Sequence, residues 1–523
     1  MSWRGLLPSR RDLVPAALTA VLLLAAYAPA PLVLPSFVAL VPLLWALEGG
    51  GTAGPREGLA PTVPLSPRPA VAEFTRGYWF GVLAWGLVLH WMPVALWRFT
   101  PLSALGYLAA VLIVLAPQWG AVAWLTARVR RRTGLPLWVV FPLAWTALEW
   151  IGGHYGDVRF PWLGLGTSLV SVPTLVQWAD VAGARGVTLW LAWANVMVFY
   201  ALTRRAWRPV ALVAGTAIVA AAYGVWRERS IVMRPVTTVA MLQPNLEEKQ
   251  TRRDDETVVR QLLDLTRRAR QDSAVRLVAW PEAAVPAYFH DHPQWEAWVA
   301  ALARELRTPI LAGGLDVVFR ADGTYENWNA AFLFDTTGSS TAQPSYRKTY
   351  LVPIVERVPF VNPDWFGRMP FFGGFERGDR FPVYRIAEGG FGVLICYESA
   401  FENLPRRYRR DGADFLVNIT NDAWFGRTAG PYQHASHLVM RAIETRVGVA
   451  RAANTGISEL VDPLGREHQR SRLFTEGIVI APVLTTDVRT LYVRFGDWVA
   501  ALALAGAGAC LVASFVRQRP EVV

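Results

Sequence analysis

Long apolar runs constrain this chain most. They crowd the first 230 residues, return once near the C-terminus, and are missing between 234 and 490. A bilayer crossing needs about 20 mostly apolar residues, because backbone N–H and C=O groups inside lipid must be satisfied within their own helix. Candidate crossings fall at 12–29, 31–48, 77–97, 103–126, 136–153, 187–203, 209–226 and 496–516. The expected fold class is therefore a polytopic α-helical membrane domain of about eight transmembrane helices, seven before the polar block and one after it. The expected domains are 1–233 in the membrane, a folded block at 234–490, and a last helix with a short tail at 491–523, with no further domain expected after it. Residues 12–28 have a second reading as a signal peptide with "AYA" at the cleavage position, but Pro29 directly after it disfavours cleavage.

Arginine sets the orientation. With a cytoplasmic N-terminus, the inner loops hold Arg4, Arg10, Arg11, Arg56, Arg68, Arg76, Arg128, Arg130, Arg131, Arg132, Arg204, Arg205, Arg208, Arg517 and Arg519. The short outer loops hold Arg98, Arg159 and Arg185. Fifteen against three places both termini in the cytoplasm and the folded block outside. It also explains the net charge of +11 without nucleic acid, for which no basic-aromatic stripe is present.

That placement bears on the two cysteines. Thiols outside the cytosol tend to be oxidised into pairs. Cys510 lies in the last apolar run and is a poor partner for Cys396, which ends the apolar stretch "FGVLIC". Cys396 is then a free thiol, either buried and inert or chemically used.

Residues 236–490 alternate strand and helix patterns. Strands are expected at 236–243, 275–280, "PILAGGLDVV", "NAAFLFD", "FGVLIC", "DFLVNIT", "GVARAAN", "SELVD" and "GIVIAPV". Helices are expected at 255–271, 294–306, 400–410 and 431–447. Such alternation implies an α/β layered sheet, in which functional groups gather just past strand ends. Cys396 sits at such an end, and Glu282 follows "LVAW". Lys348 lies in the loop-like "YRKTYLVP". A carboxylate can take and return a thiol proton, and an ammonium can stabilise an oxyanion, so the three suit acyl transfer through a thioester. Each also has a plain alternative: Glu282 as a helix cap, Lys348 as a solvated side chain.

The segments "LQPN", "WPEAA", "YRKTYLVPIVERVP", "CYESAF", "NDAWFG", "QHASHLVMRAIETR" and "RAANTGIS", with "FPW" at 160–162, run in order along the chain. In them the chain resembles the nitrilase, or carbon–nitrogen hydrolase, superfamily, and with its flanking helices it resembles the membrane-bound apolipoprotein N-acyltransferase family within it. The resemblance implies an α/β nitrilase-like αββα sandwich. It implies Cys396 as nucleophile, Glu282 as base and acid, and Lys348 as oxyanion stabiliser. It further implies supporting roles for Glu356, Tyr397, Glu398 and an asparagine, Asn329 or the nearby Asn327. Ile354 and Val355 stand where many members have Phe-Gly.

The same resemblance implies a ping-pong reaction. An acyl chain passes from a phospholipid, typically phosphatidylethanolamine, to Cys396, and then to the α-amino group of a diacylglyceryl-modified N-terminal cysteine of an apolipoprotein. It implies a monomeric enzyme of the bacterial inner membrane. No cofactor is expected, since phosphate-loop and dinucleotide patterns are missing. His434 and His437 have metal-like spacing but no third ligand nearby, so no metal is expected. Trp365, Phe366, Phe371, Phe372 and Phe375 form either a lipid-facing lid or ordinary core, and Trp424 with Phe425 carries the same ambiguity. Glu149, near one end of an apolar helix, is either functional or paired at the interface beside His154. Two rivals stay open: a membrane-tethered amidase acting on a small amide, and a transporter or receptor with an outer binding domain.

Overall fold

The computed structural model describes residues 8, 10–48, 70–97, 103–246, 255–285, 288, 292–321, 324–360 and 374–516. Trp365, Phe366, Phe371 and Phe372 of the aromatic stretch lie outside the described residues, as do Arg4, Arg56, Arg68, Arg98, Arg517 and Arg519 of the charge bias. The chain divides into two units, Met1–Arg227 with Asp497–Val523, and Glu228–Gly496.

The first unit is helical. Helices occupy all eight apolar stretches, and four described ones are long and apolar enough to cross a bilayer: Ala104–Thr133, Ala179–Arg204, Arg208–Ser230 and Trp498–Val516. Val33–Leu47 and Leu137–Gly152 are shorter apolar helices. The 31–48 stretch breaks between Val38 and Val41. Asn195 repairs the break, its Oδ1 accepting from Leu40 N at 2.8 Å and its Nδ2 donating to Ser36 O at 3.0 Å. Helix contacts are close where glycine allows it. A Cβ at Gly77 would lie 2.4 Å from the Trp119 carbonyl oxygen, a small-residue packing device of membrane helices.

Glu149 is paired rather than free. Its Oε1 accepts from Arg185 at 2.6 Å and Thr188 at 2.7 Å, and its Oε2 accepts from Leu165 N at 2.8 Å. His154 is not its partner, since that ring stacks on Trp150 at 4.1 Å. A carboxylate in an apolar helix is costly alone, and a paired one instead pins the loop carrying Leu165.

The second unit is built on two six-stranded sheets. In chain order the strands are β1 Arg234–Gln243, β2 Val275–Ala279, β3 Ile310–Phe319, β4 Tyr325–Phe334, β5 Tyr346–Arg347, β6 Tyr384–Ile386, β7 Gly389–Ile395, β8 Phe415–Thr420, β9 Val449–Ala453, β10 Glu459–Val461, β11 Glu467–His468 and β12 Gly477–Thr485. One sheet runs β12-β1-β2-β3-β4-β5 and the other β11-β10-β9-β8-β7-β6. β1 to β3 are parallel, as are β7 to β9.

Side-chain alternation makes the layers. Val239 and Met241 of β1 join the core that also holds Val393, Ile395, Val417 and Ile419 of the other sheet. Ala240 and Leu242 point the opposite way, onto Val258, Leu262, Trp295 and Val299 of the helices Asp255–Ala269 and Pro293–Leu306. The helices Asn403–Arg410 and Gly430–Thr445 add Leu404, Tyr408, Leu438 and Ala442 to the core of the second sheet. Helix, sheet, sheet, helix is the expected αββα order. Short strands β5, β6 and β11, two or three residues each, escape a sequence reading because no periodicity develops over that length.

β3 passes unusually near the turn after β2. A Cβ at Gly313 would lie 2.2 Å from the Pro281 carbonyl oxygen and 2.9 Å from Glu282 Cα. Only glycine lets this strand support the turn that carries Glu282.

Candidate active site

Three strand ends and one strand interior converge. Glu282 lies three residues past β2, Lys348 directly follows β5, Cys396 directly follows β7, and Asn329 sits within β4. β7 runs into a tight helical turn at Cys396–Ala400, and Cys396 has a φ of +52°. A non-glycine residue there carries strain of about 1–3 kcal/mol. Burying one leucine-sized side chain offsets roughly that much, and β7 delivers Val393, Leu394 and Ile395 fully buried. The sharp strand-to-helix turn presents the sulfur at the sheet end, as nucleophile turns do in other hydrolases.

Lys348 is fully buried. Its Nζ donates to Glu282 Oε1 at 3.1 Å and to Glu356 Oε1 at 2.8 Å. Asn329 Nδ2 donates to the same two oxygens, at 2.7 Å and 3.1 Å. Asn327, the other candidate, donates instead to the Tyr288 hydroxyl at 3.2 Å, so of the two it is Asn329 that touches the carboxylates. The remaining carboxylate oxygens are held by main chain: Asn421 N reaches Glu282 Oε2 at 2.9 Å, and Val352 N reaches Glu356 Oε2 at 2.7 Å. At the Phe-Gly departure, Ile354 takes a φ of +71°, a region that a β-branched residue disfavours. Glu356 nonetheless reaches the lysine.

Electrostatics follow from two carboxylates around one ammonium. Burial lowers the Lys348 pKa, but Glu282 and then Glu356 outweigh it and hold the amine well above its ordinary range, so it stays charged. Cys396 goes the other way. Burial first, then the charge of Glu282, push its thiol well above the usual value, against the pull of Lys348. Cys396 thus rests as a neutral thiol, and any reaction through its sulfur needs a base.

Glu398 is the joint of the site. Its Oε1 accepts from the Tyr346 hydroxyl at 2.7 Å, Thr349 N at 2.8 Å and Tyr350 N at 3.1 Å. Its Oε2 accepts from Ile395 N at 2.8 Å. One carboxylate thus ties the lysine loop to the cysteine turn. Burial pushes it up to about 7 in spite of these donors. Tyr397 is buried with its ring edge-on to Phe401 at 5.1 Å.

A buried cluster lies behind Asn421. His434 Nδ1 and Asp422 Oδ1 are 2.9 Å apart, and Arg451 donates to Asp422 Oδ2 at 2.8 Å. Burial opposes ionisation of Asp422, but Arg451 and then His434 hold it down at about 2. His434 therefore serves the Asp422 turn. Among the described residues no group of three His, Cys, Asp or Glu side chains could hold a metal. Phe375 packs with Leu315 and Leu351. Phe425 lies edge-on to His434 at 5.7 Å.

The family profile described as carbon-nitrogen hydrolase matches residues 238–492, and the one described as apolipoprotein N-acyltransferase N-terminal domain matches 19–197. An apolipoprotein N-acyltransferase of Geobacter metallireducens is 33% identical over 97% of this chain and 96% of its own. The chain belongs to the apolipoprotein N-acyltransferase family. One of Bradyrhizobium diazoefficiens is 31% identical over 90% of this chain and 88% of its own. Among solved structures, an amidase from a Nesterenkonia species aligns with 52% of this chain and 98% of its own at 16% identity, TM-score 0.39.

Sequence reasoning missed the backbone N–H of Asn421, the Tyr346 hydroxyl and the Asp422–Arg451–His434 cluster of this acyltransferase. "NDAWFG" flagged the segment, but a main-chain donor leaves no mark in residue identity.

Two outcomes are expected. Glu282→Gln removes both the expected base and a charge that holds the thiol proton. Acyl transfer should fall about 10²–10⁴-fold while iodoacetamide alkylates Cys396 faster at pH 8; slower alkylation contradicts the electrostatics. For Glu398, the folded pKa of about 7 exceeds the ordinary 4.5. The folded state binds this proton more tightly, so its stabilisation is complete below pH 4.5 and fades as pH rises to about 7, by roughly 3 kcal/mol. Glu398→Gln should flatten the fall in melting midpoint across that window. A slope equal to wild type would refute the assignment.

Proposed function

We propose that this enzyme completes lipoprotein maturation by moving an acyl chain from a phospholipid to an apolipoprotein through a thioester on Cys396. Membership of the family supports N-acylation of apolipoproteins. The observation that carries the thioester reading is the grip of Lys348 on Glu282 and Glu356 beside a neutral thiol at a strained strand end.

In the first half-reaction Glu282 takes the Cys396 proton as sulfur attacks the ester carbonyl. Lys348 steadies the oxyanion. The tetrahedral adduct collapses, the C–O bond breaks, and Glu282 returns the proton to the departing lysophospholipid oxygen. In the second half, the neutral α-amine of the diacylglyceryl cysteine attacks the thioester. Glu282 takes an amine proton, the C–S bond breaks, and the proton returns to sulfur. Splitting an ester-to-amide exchange at a reactive thioester replaces one difficult step by two easier ones. Asn329, Glu356 and Glu398 are positioning residues in this scheme, and Tyr397 packs the turn.

Phosphatidylethanolamine is the proposed donor. We read the chain as crossing the bilayer eight times with cytoplasmic termini and an outer catalytic unit, so that it works at the outer face of the bacterial inner membrane, where both lipid substrates reside. The protein acts as a monomer.

Purified enzyme is incubated with phospholipid carrying a labelled acyl chain. The label should attach to wild type, be released by neutral hydroxylamine, and move to a diacylglyceryl lipopeptide as an amide. No label on wild type, or equal label on Cys396→Ala, sinks the thioester. Turnover of small amides without phospholipid labelling selects the amidase instead.

A further inference from the structure

A cavity of about 460 Å³ opens in the second unit, with Arg427, Tyr432, Ile457, Arg472 and Leu473 in its wall. Arg470 also lines it but is already engaged, its Nε 2.8 Å from Glu459 and its NH1 3.0 Å from Glu467. Arg427 and Arg472 are different. Among the described residues neither guanidinium has a carboxylate partner, and the Tyr432 hydroxyl has no hydrogen bond. Arg427 lies over the Phe474 ring, 4.8 Å from its centroid. Such stacking steadies a guanidinium while leaving its N–H edge available.

The cavity lies beyond the ends of β8 and β9, which follow β7 in its sheet. Arg427 continues the turn that begins at Asn421, whose N–H holds Glu282. Ile457 follows Asn454, whose Nδ2 donates to Asn421 Oδ1 at 3.0 Å. Groups beyond parallel strand ends are where α/β sheets bind ligands.

The wall specifies an anion. Two guanidinium forks supply paired N–H donors that match phosphate oxygens, and the phenol adds a third donor. Ile457 and Leu473 give an apolar wall beside them. The volume falls in the range of small-molecule pockets, about 300–1,000 Å³, and holds a phosphate with a glycerol and a small head substituent.

We propose that this cavity is a phosphate-ester site, filled by the headgroup phosphate of the acyl donor. The proposal rests on the reading of a phospholipid as donor. A neutral acyl ester would form the same thioester without using the pocket.

Wild type and the Arg427→Gln/Arg472→Gln variant are compared with two donors: phosphatidylethanolamine vesicles, and p-nitrophenyl palmitate, which lacks phosphate. The variant should show KM for the phospholipid raised on the order of tenfold, with thioester formation from the neutral ester unchanged. Soluble glycerophosphoethanolamine should compete with the phospholipid on wild type and not on the variant. Competition by inorganic phosphate, with the variant's phospholipid KM unchanged, retains the phosphate chemistry but assigns the site to free phosphate. Identical kinetics and competition in both proteins overturn the pocket, as does equal loss with both donors. A wild type that forms no thioester from phospholipid while the neutral ester loads it overturns the donor reading instead.

Discussion

The buried ammonium of Lys348, held between Glu282 and Glu356, is the interaction on which the rest of the site depends. A lone charge at full burial would be too costly to keep. Two carboxylates stabilise it, and in return it fixes both. Burial and then the charge of Glu282 keep the neighbouring thiol protonated. A cysteine with a single cationic partner would be driven toward thiolate. Here the thiol is held neutral, which fits the proposed thioester route, in which the sulfur loses its proton only as it meets an ester.

The surrounding frame serves that cluster. Gly313 lets β3 press against the Glu282 turn, Glu398 binds the lysine loop to the cysteine turn, and the Asp422 cluster anchors the segment whose Asn421 N–H completes the hold on Glu282. Each device joins segments far apart in sequence. Strain at Cys396 is tolerable because six consecutive buried strand residues lead into it.

Much of this was legible in the sequence. Long apolar runs and alternating strand patterns specify the helical unit and the layered sheets, because periodicity over six or more residues reports which face is buried. Cys396 and Glu282 stand out by their places at strand ends, whereas Lys348 reads as part of a loop because the two-residue β5 before it is too short to show a period. Asn329 was ambiguous with Asn327, two residues away on the same face of β4, and only contact with Glu282 separates them. Glu398 looked like any acidic residue after a tyrosine. Three of its four donors are backbone N–H groups, two of them nearly fifty residues away, and such partners have no signature in composition or spacing. Glu149 needed Arg185 in view before its place in an apolar helix made sense.

The charge state of the resting sulfur tests the central claim most directly. An infrared difference spectrum between wild type and Cys396→Ser at neutral pH isolates the S–H stretch of Cys396 from that of Cys510. A distinct S–H band at neutral pH is the predicted result, lost only as pH rises above the ordinary thiol range. No band at neutral pH would reveal a preformed thiolate–ammonium pair and contradict the role given to Glu282.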